Sequence, residues 1–160
     1  LRDGGAQDIA ALQQLNYTTG SGGYTNSTTP SIWPSKGVIT SPYGTRVDPV
    51  TGAASAFHEG VDIADDYGTP IVATAAGTVT FAGYTEGGYG NLVEIDHGNG
   101  FVTRYGHNSA VLVTPGMTVK QGQVIALMGS TGKSTGAHVH YEVRINGSAV
   151  DPMVFLPISN

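Results

Sequence analysis

Five short runs rich in β-branched and aromatic residues, IVATAAGTVTFAG, NLVEID, FVTRYGH, QVIALMG and HVHYEVRI, are separated by glycine-containing turns. Runs of this length and composition are strand signals, and Asp-His-Gly-Asn-Gly between the second and third predicts a hairpin. From Trp33 onward the chain carries no long segment of helical period, and 24 of its 160 residues are glycine. These features predict an all-β domain: a compact antiparallel sheet or sandwich with long loops around a cleft, spanning residues 33–160. Ahead of it, Ile9, Leu12 and Leu15 recur at three-residue spacing, a short helical remnant. Thr18 to Pro34 (TTGSGGYTNSTTPSIWP) is poor in aliphatics and reads as a linker, so residues 1–32 are expected to form a flexible N-terminal segment.

The last run places two of the five histidines, His138 and His140, two residues apart. Side chains alternate faces along a strand, so these two imidazoles share a face while Val139 and Tyr141 take the other. A second cluster, FHEGVDIA, sets His58 and Asp62 four residues apart. They share a face whether the segment is extended or helical, and Gly60 with β-branched Val61 and Ile63 favours a strand or loop. Two histidines and an aspartate are the protein complement of a catalytic zinc site, whose fourth tetrahedral position stays open. Hydrolysis there needs a group to take a proton from the attacking water and a donor for the oxyanion, and imidazole suits both tasks. His107, at the end of FVTRYGH, is a candidate partner. One member of His-Val-His near a metal leaves the other about 6 to 7 Å along the strand. One should ligate and one should act, and spacing alone leaves open which.

Composition narrows the alternatives. A formal net charge of −5 with only 7 Lys+Arg gives no electrostatic footprint for nucleic acid or an anionic membrane. The absence of cysteine leaves His, Asp and Glu as metal ligands and fits an extracytoplasmic protein. The chain has no initiator Met, basic-then-apolar leader or apolar run of about 20 residues. No membrane insertion is therefore expected within it, and it is expected to begin inside a longer precursor or to be a processed form.

Three motifs in order carry a family resemblance: His58-Glu-Gly-Val-Asp62, Tyr105-Gly-His107 and His138-Val-His140. With flanks SPYGTRVDPVTG, GVDIADDYGTPIVATAAGTV and PGMTVKQGQVIALMGSTGKSTGAHVHYEVRINGSAVDP, the chain resembles the LytM-type, lysostaphin-like zinc endopeptidases that cut the peptide part of peptidoglycan. The resemblance spans about Trp33 to Leu156. It implies a lysostaphin-type fold related to the duplicated hybrid motif, one zinc held by His58, Asp62 and His140, and catalytic roles for His107 and His138. It also implies a peptidoglycan peptide substrate and an extracytoplasmic location, and a monomer is expected. Lysostaphin has a tyrosine in the loop before the first motif, whereas TGAASAF has none.

Other residues receive plainer readings. His97 is read as a structural residue explained by the hairpin turn. Strand parity points Glu59 away from the metal, and the H-E-x-x-H motif would need a second histidine where Asp62 stands. GSTGKSTG lacks phosphate-loop spacing and reads as a flexible loop rimming the cleft, while Arg46 and Lys133 read as solvated. A silent LytM-type domain that regulates another wall enzyme would lack ligands that are all present here. A carrier or phosphotransfer module shares the hairpin pattern of GTVTFAG and PGMTVKQGQVIAL. A carrier would present a lysine beside methionine at an exposed hairpin, and no Met-Lys pair occurs.

Overall fold

The computed structural model describes residues 24–46, 50–51 and 56–160. Strands β1 (Val38–Ser41), β2 (Gly44–Arg46), β3 (Ala56–His58) and β4 (Val61–Ala64) precede β5 (Pro70–Val72). Then come β6 (Gly77–Thr85), β7 (Gly90–Gly98), β8 (Phe101–Asn108), β9 (Ala110–Val111), β10 (Thr118–Val119) and β11 (Val124–Leu127). β12 (His138–Ile145), β13 (Ser148–Val150) and a 3-10 turn at Pro152–Val154 complete the chain. The expected all-β class is observed: among the described residues there is no α-helix, and every named strand pairing is antiparallel.

The large sheet runs β1-β4-β12-β8-β7-β6-β10, with β13 beside β12, and a three-stranded sheet β5-β11-β9 covers one of its faces. Alternation decides what lies between them. Val61 and Ile63 of β4, Val93 and Ile95 of β7, and Val139, Tyr141 and Val143 of β12 point inward against Ile71, Ile125, Ala126 and Met128. Each fully buried aliphatic of this kind contributes about 1.5–3 kcal/mol. The intervening residues Asp62, Glu94, Arg104, His138, His140, Glu142 and Arg144 are thereby left on the opposite, open face.

A polar chain crosses the core. The Tyr141 hydroxyl lies 2.7 Å from Thr74 Oγ1, the Thr74 amide donates to the Tyr105 hydroxyl at 3.0 Å, and Thr103 Oγ1 meets that hydroxyl at 2.7 Å. His97 ends this chain on Thr103 Oγ1 at 2.7 Å, and its Nδ1–H donates to the Ala76 carbonyl at 2.8 Å. Its structural role therefore stands, with a different cause. The turn is made by Gly98, Asn99 and Gly100, all at positive φ, while His97 is a buried residue of β7.

FHEGVDIA is neither one strand nor a helix. β3 and β4 meet at a corner at Glu59 and Gly60, where a Cβ on Gly60 would stand 2.3 Å from the Tyr141 carbonyl oxygen. Only glycine lets the corner close on β12. The helical remnant before residue 16 lies outside the described residues. Residues 24–34 of the segment read as a linker lie against the domain: Thr25 bridges Gln121 through both backbone groups, and the Ala76 amide donates to the Ser27 carbonyl at 2.7 Å. Gln121 Nε2 adds hydrogen bonds to the Thr29 carbonyl and Ser31 Oγ.

Candidate metal and catalytic site

Register brings the three motifs together. His140 of β12 stands opposite Asp62 of β4 on one side and Gly106 of β8 on the other. His58, at the end of β3, closes the group from across the corner. One donor atom each from His58, Asp62 and His140 lies within 4.8 Å of the others. His140 Nδ1 is 2.9 Å from Asp62 Oδ1 and 3.2 Å from His58 Nε2, and His58 Nε2 is 3.3 Å from Asp62 Oδ1.

The far nitrogen of each imidazole is held. His58 Nδ1–H donates to the Pro42 carbonyl at 2.9 Å, and His140 Nε2–H donates to Glu142 Oε2 at 2.8 Å. These bonds turn His58 Nε2 and His140 Nδ1 toward one point beside Asp62. A borderline cation such as zinc takes this set of two nitrogens and one carboxylate oxygen, so the residues fit the expected metal. Electrostatics agree. Burial works against the Asp62 carboxylate, yet hydrogen bonds from His140 and His58 hold it well below the usual carboxylate range. Burial likewise disfavours charge on His140, but the Asp62 and Glu142 carboxylates push it up to about 9. A cation at this position competes with that proton.

His138 stands outside the donor group. Its Nδ1–H donates to the Gly136 carbonyl at 2.8 Å, and its Nε2 lies 3.7 Å from Asp62 Oδ1. Its ring packs against His107 with centroids 4.6 Å apart. His107 reaches this face by breaking alternation. Tyr105 points into the core, and strict parity would send His107 the same way, but a left-handed backbone (φ 67°) swings its ring out beside His138. The Thr131 carbonyl accepts its Nδ1–H at 2.7 Å. Thr131 is itself tied down through Oγ1 to Asn108 and Asn91, so this part of GSTGKSTG is a braced rim. Glu59 sits at the corner rather than within a strand, outside the donor group, and pairs with Arg144 at 2.9 Å. Lys133 is exposed, and the Arg46 side chain lies outside the described residues.

Burial, outweighing the Thr131 hydrogen bond and reinforced by His138 and His140, lowers the His107 pKa to about 4. A histidine kept neutral in the fold but protonated in the unfolded chain costs stability as pH falls below its ordinary value. After metal removal, acidification from about pH 6.5 to 4 is therefore expected to destabilise the domain, with His107 contributing on the order of 2 kcal/mol. That figure is set below the full shift because solvent partly screens the ring. His107→Asn, which tolerates left-handed backbone, should flatten the slope in chemical denaturation at stepped pH. An unchanged slope would contradict the burial argument.

Sequence reasoning did not single out Glu142 or Tyr89. Glu142 shares the parity of His138 and His140, a signal available in HVHYEV. Tyr89 reaches the site only through tertiary contact: its hydroxyl donates to Glu142 Oε2 at 2.7 Å and its carbonyl accepts the His107 amide at 2.7 Å.

The chain is similar to proteins of a known family. The model of peptidase family M23 matches residues 56–152. Over 120 residues the chain is 49% identical to the DD-carboxypeptidase/endopeptidase Mpg of Neisseria meningitidis, covering 74% of this chain and 27% of that protein. It is 40% identical over 125 residues to the murein hydrolase activator NlpD of Escherichia coli, covering 78% of this chain and 31% of that protein. The chain thus spans about a quarter to a third of these relatives. Among solved structures, a zinc-containing peptidase from Vibrio cholerae superposes with TM-score 0.71 and 36% identity, over 81% of this chain and 40% of that one. The catalytic domain of lysostaphin from Staphylococcus simulans gives 0.67 and 34%, over 74% and 90%. Motif order, sheet architecture and family match coincide, and the chain belongs to peptidase family M23.

Proposed function

We propose that this chain carries a zinc-dependent endopeptidase domain that hydrolyses the peptide part of peptidoglycan outside the cytoplasm, acting as a monomer with its catalytic domain at residues 33–160. The observation that carries this reading is the convergence of a complete ligand set with two further imidazoles on one open sheet face. His58, Asp62 and His140 hold the metal. When bound, zinc supplies Lewis acidity toward a carbonyl and a water oxygen. His138, its Nδ1–H committed to Gly136, presents an Nε2 lone pair that takes a proton from the attacking water and returns it to the leaving nitrogen.

His107 stands beside this base, with ring centroids 4.6 Å apart. With Nδ1–H committed to Thr131 and its pKa held near 4, the neutral ring offers an acceptor at Nε2. It accepts a hydrogen bond from the water and orients it.

The 40% identity to a murein hydrolase activator favours a second reading, in which the domain stimulates another hydrolase without cutting. Incubation of the zinc-loaded protein with purified cross-linked muropeptides, followed by mass spectrometry, separates the two. New peptide termini are expected. Intact muropeptides, together with stimulation of an added murein hydrolase, would establish the activator instead. Among the described residues no helix is long and apolar enough to cross a membrane.

A further inference from the structure

Glu142 lies on the polar face of β12 and yet is only 1% exposed. Such burial of a carboxylate is costly unless its oxygens are satisfied. Here both are. Oε2 accepts from His140 Nε2–H at 2.8 Å and from the Tyr89 hydroxyl at 2.7 Å, while Oε1 accepts from Arg144 Nε at 2.8 Å. Arg104 Nη1 stands 3.8 Å from Oε1 and donates to the same Tyr89 hydroxyl at 3.1 Å. Glu94 and Glu59 hold the outer sides of Arg104 and Arg144, at 2.7 and 2.9 Å. The ladder thus holds Glu142 by hydrogen bonds from Tyr89 and Arg144 with Arg104 as a longer ion pair, and Oε2 also meets His140. Its three carboxylates outnumber its two guanidiniums, so the ladder carries one formal negative charge.

We propose that Glu142, clamped by Tyr89 and Arg144, is a positioning residue of the metal centre: its carboxylate holds the proton on His140 Nε2, so that Nδ1 faces the zinc as a ligand. The inference rests on the zinc reading above. Its chemistry is specific to a carboxylate. In a glutamine, the oxygen would be claimed by the Arg144 donor, turning the amide NH₂ toward His140 Nε2. That nitrogen would then have to accept, moving the ring proton to Nδ1, where it blocks ligation.

Glu142→Gln preserves shape and tests this directly. Zinc affinity by chelator competition should fall about 10- to 100-fold relative to wild type. The visible spectrum of the cobalt-loaded variant should change, because a ligand is lost or rotated. Neither readout responds to a role confined to fold stability, which a thermal melt of the chelated protein monitors separately. Unchanged affinity and an unchanged cobalt spectrum in a folded variant would overturn the proposal while leaving the zinc site intact. Failure of the wild type to bind zinc would instead overturn the reading beneath it. Should Glu142→Gln not fold, Tyr89→Phe removes one clamp of the carboxylate. A several-fold loss of zinc affinity is then expected, and an unaltered affinity contradicts the clamp.

Discussion

Replacing His140 by alanine is expected to remove bound zinc and turnover together. His140 Nδ1 is the donor nearest Asp62, at 2.9 Å, and it stands in the strand that also carries His138. Without it two ligands remain, too few for the three-ligand arrangement of a catalytic zinc. The loss of affinity should exceed the roughly 100-fold typical of removing an outer hydrogen-bond partner, and activity should fall beyond the roughly 10⁴-fold of losing one acid–base group. The core should survive, since the ring lies on the face opposite Val139 and Tyr141. Elemental analysis with a muropeptide assay checks both halves. A variant that keeps stoichiometric zinc would show that this imidazole is not a ligand.

His138→Ala and His107→Ala should behave otherwise. Neither belongs to the donor group, so zinc occupancy should stay near that of the wild type. Turnover should drop by about 10²- to 10⁴-fold, the usual contribution of a positioned proton-transfer group. The two effects should not add fully in the double variant, because rings 4.6 Å apart act on one water.

How much of this was legible beforehand depends on the range of the interaction concerned. Strand alternation in HVHYEV correctly separated His138 and His140 from Val139 and Tyr141, because period two is a local property. The closeness of His58 and Asp62 was also legible, although the chain achieves it by a corner at Gly60 whose cause, the Tyr141 carbonyl, is far away in sequence. His107 was legible as a partner but not as a break in parity, since its left-handed backbone is set by hydrogen bonds to Tyr89 and Thr131. Its neutral state, and hence its acceptor role, follows from burial that no motif records. His97 was assigned to a turn because glycine and asparagine follow it, whereas Thr103 and Ala76 bury it in the sheet. The composition of Thr18 to Pro34 hid the contacts of residues 24–34, which depend on Gln121, nearly a hundred residues later. Glu142 was missed for a similar reason: an acidic residue in a strand reads as solvent-facing until Tyr89 and two arginines close over it.

The most direct test measures zinc content and muropeptide turnover on the same preparation of wild type and His138→Ala. One zinc is expected in each, with turnover in the wild type and a loss of at least about 100-fold in the variant. Zinc lost along with activity in His138→Ala would mean that ligand and base are assigned the wrong way round. Zinc kept with turnover undiminished would contradict a catalytic role for the pair.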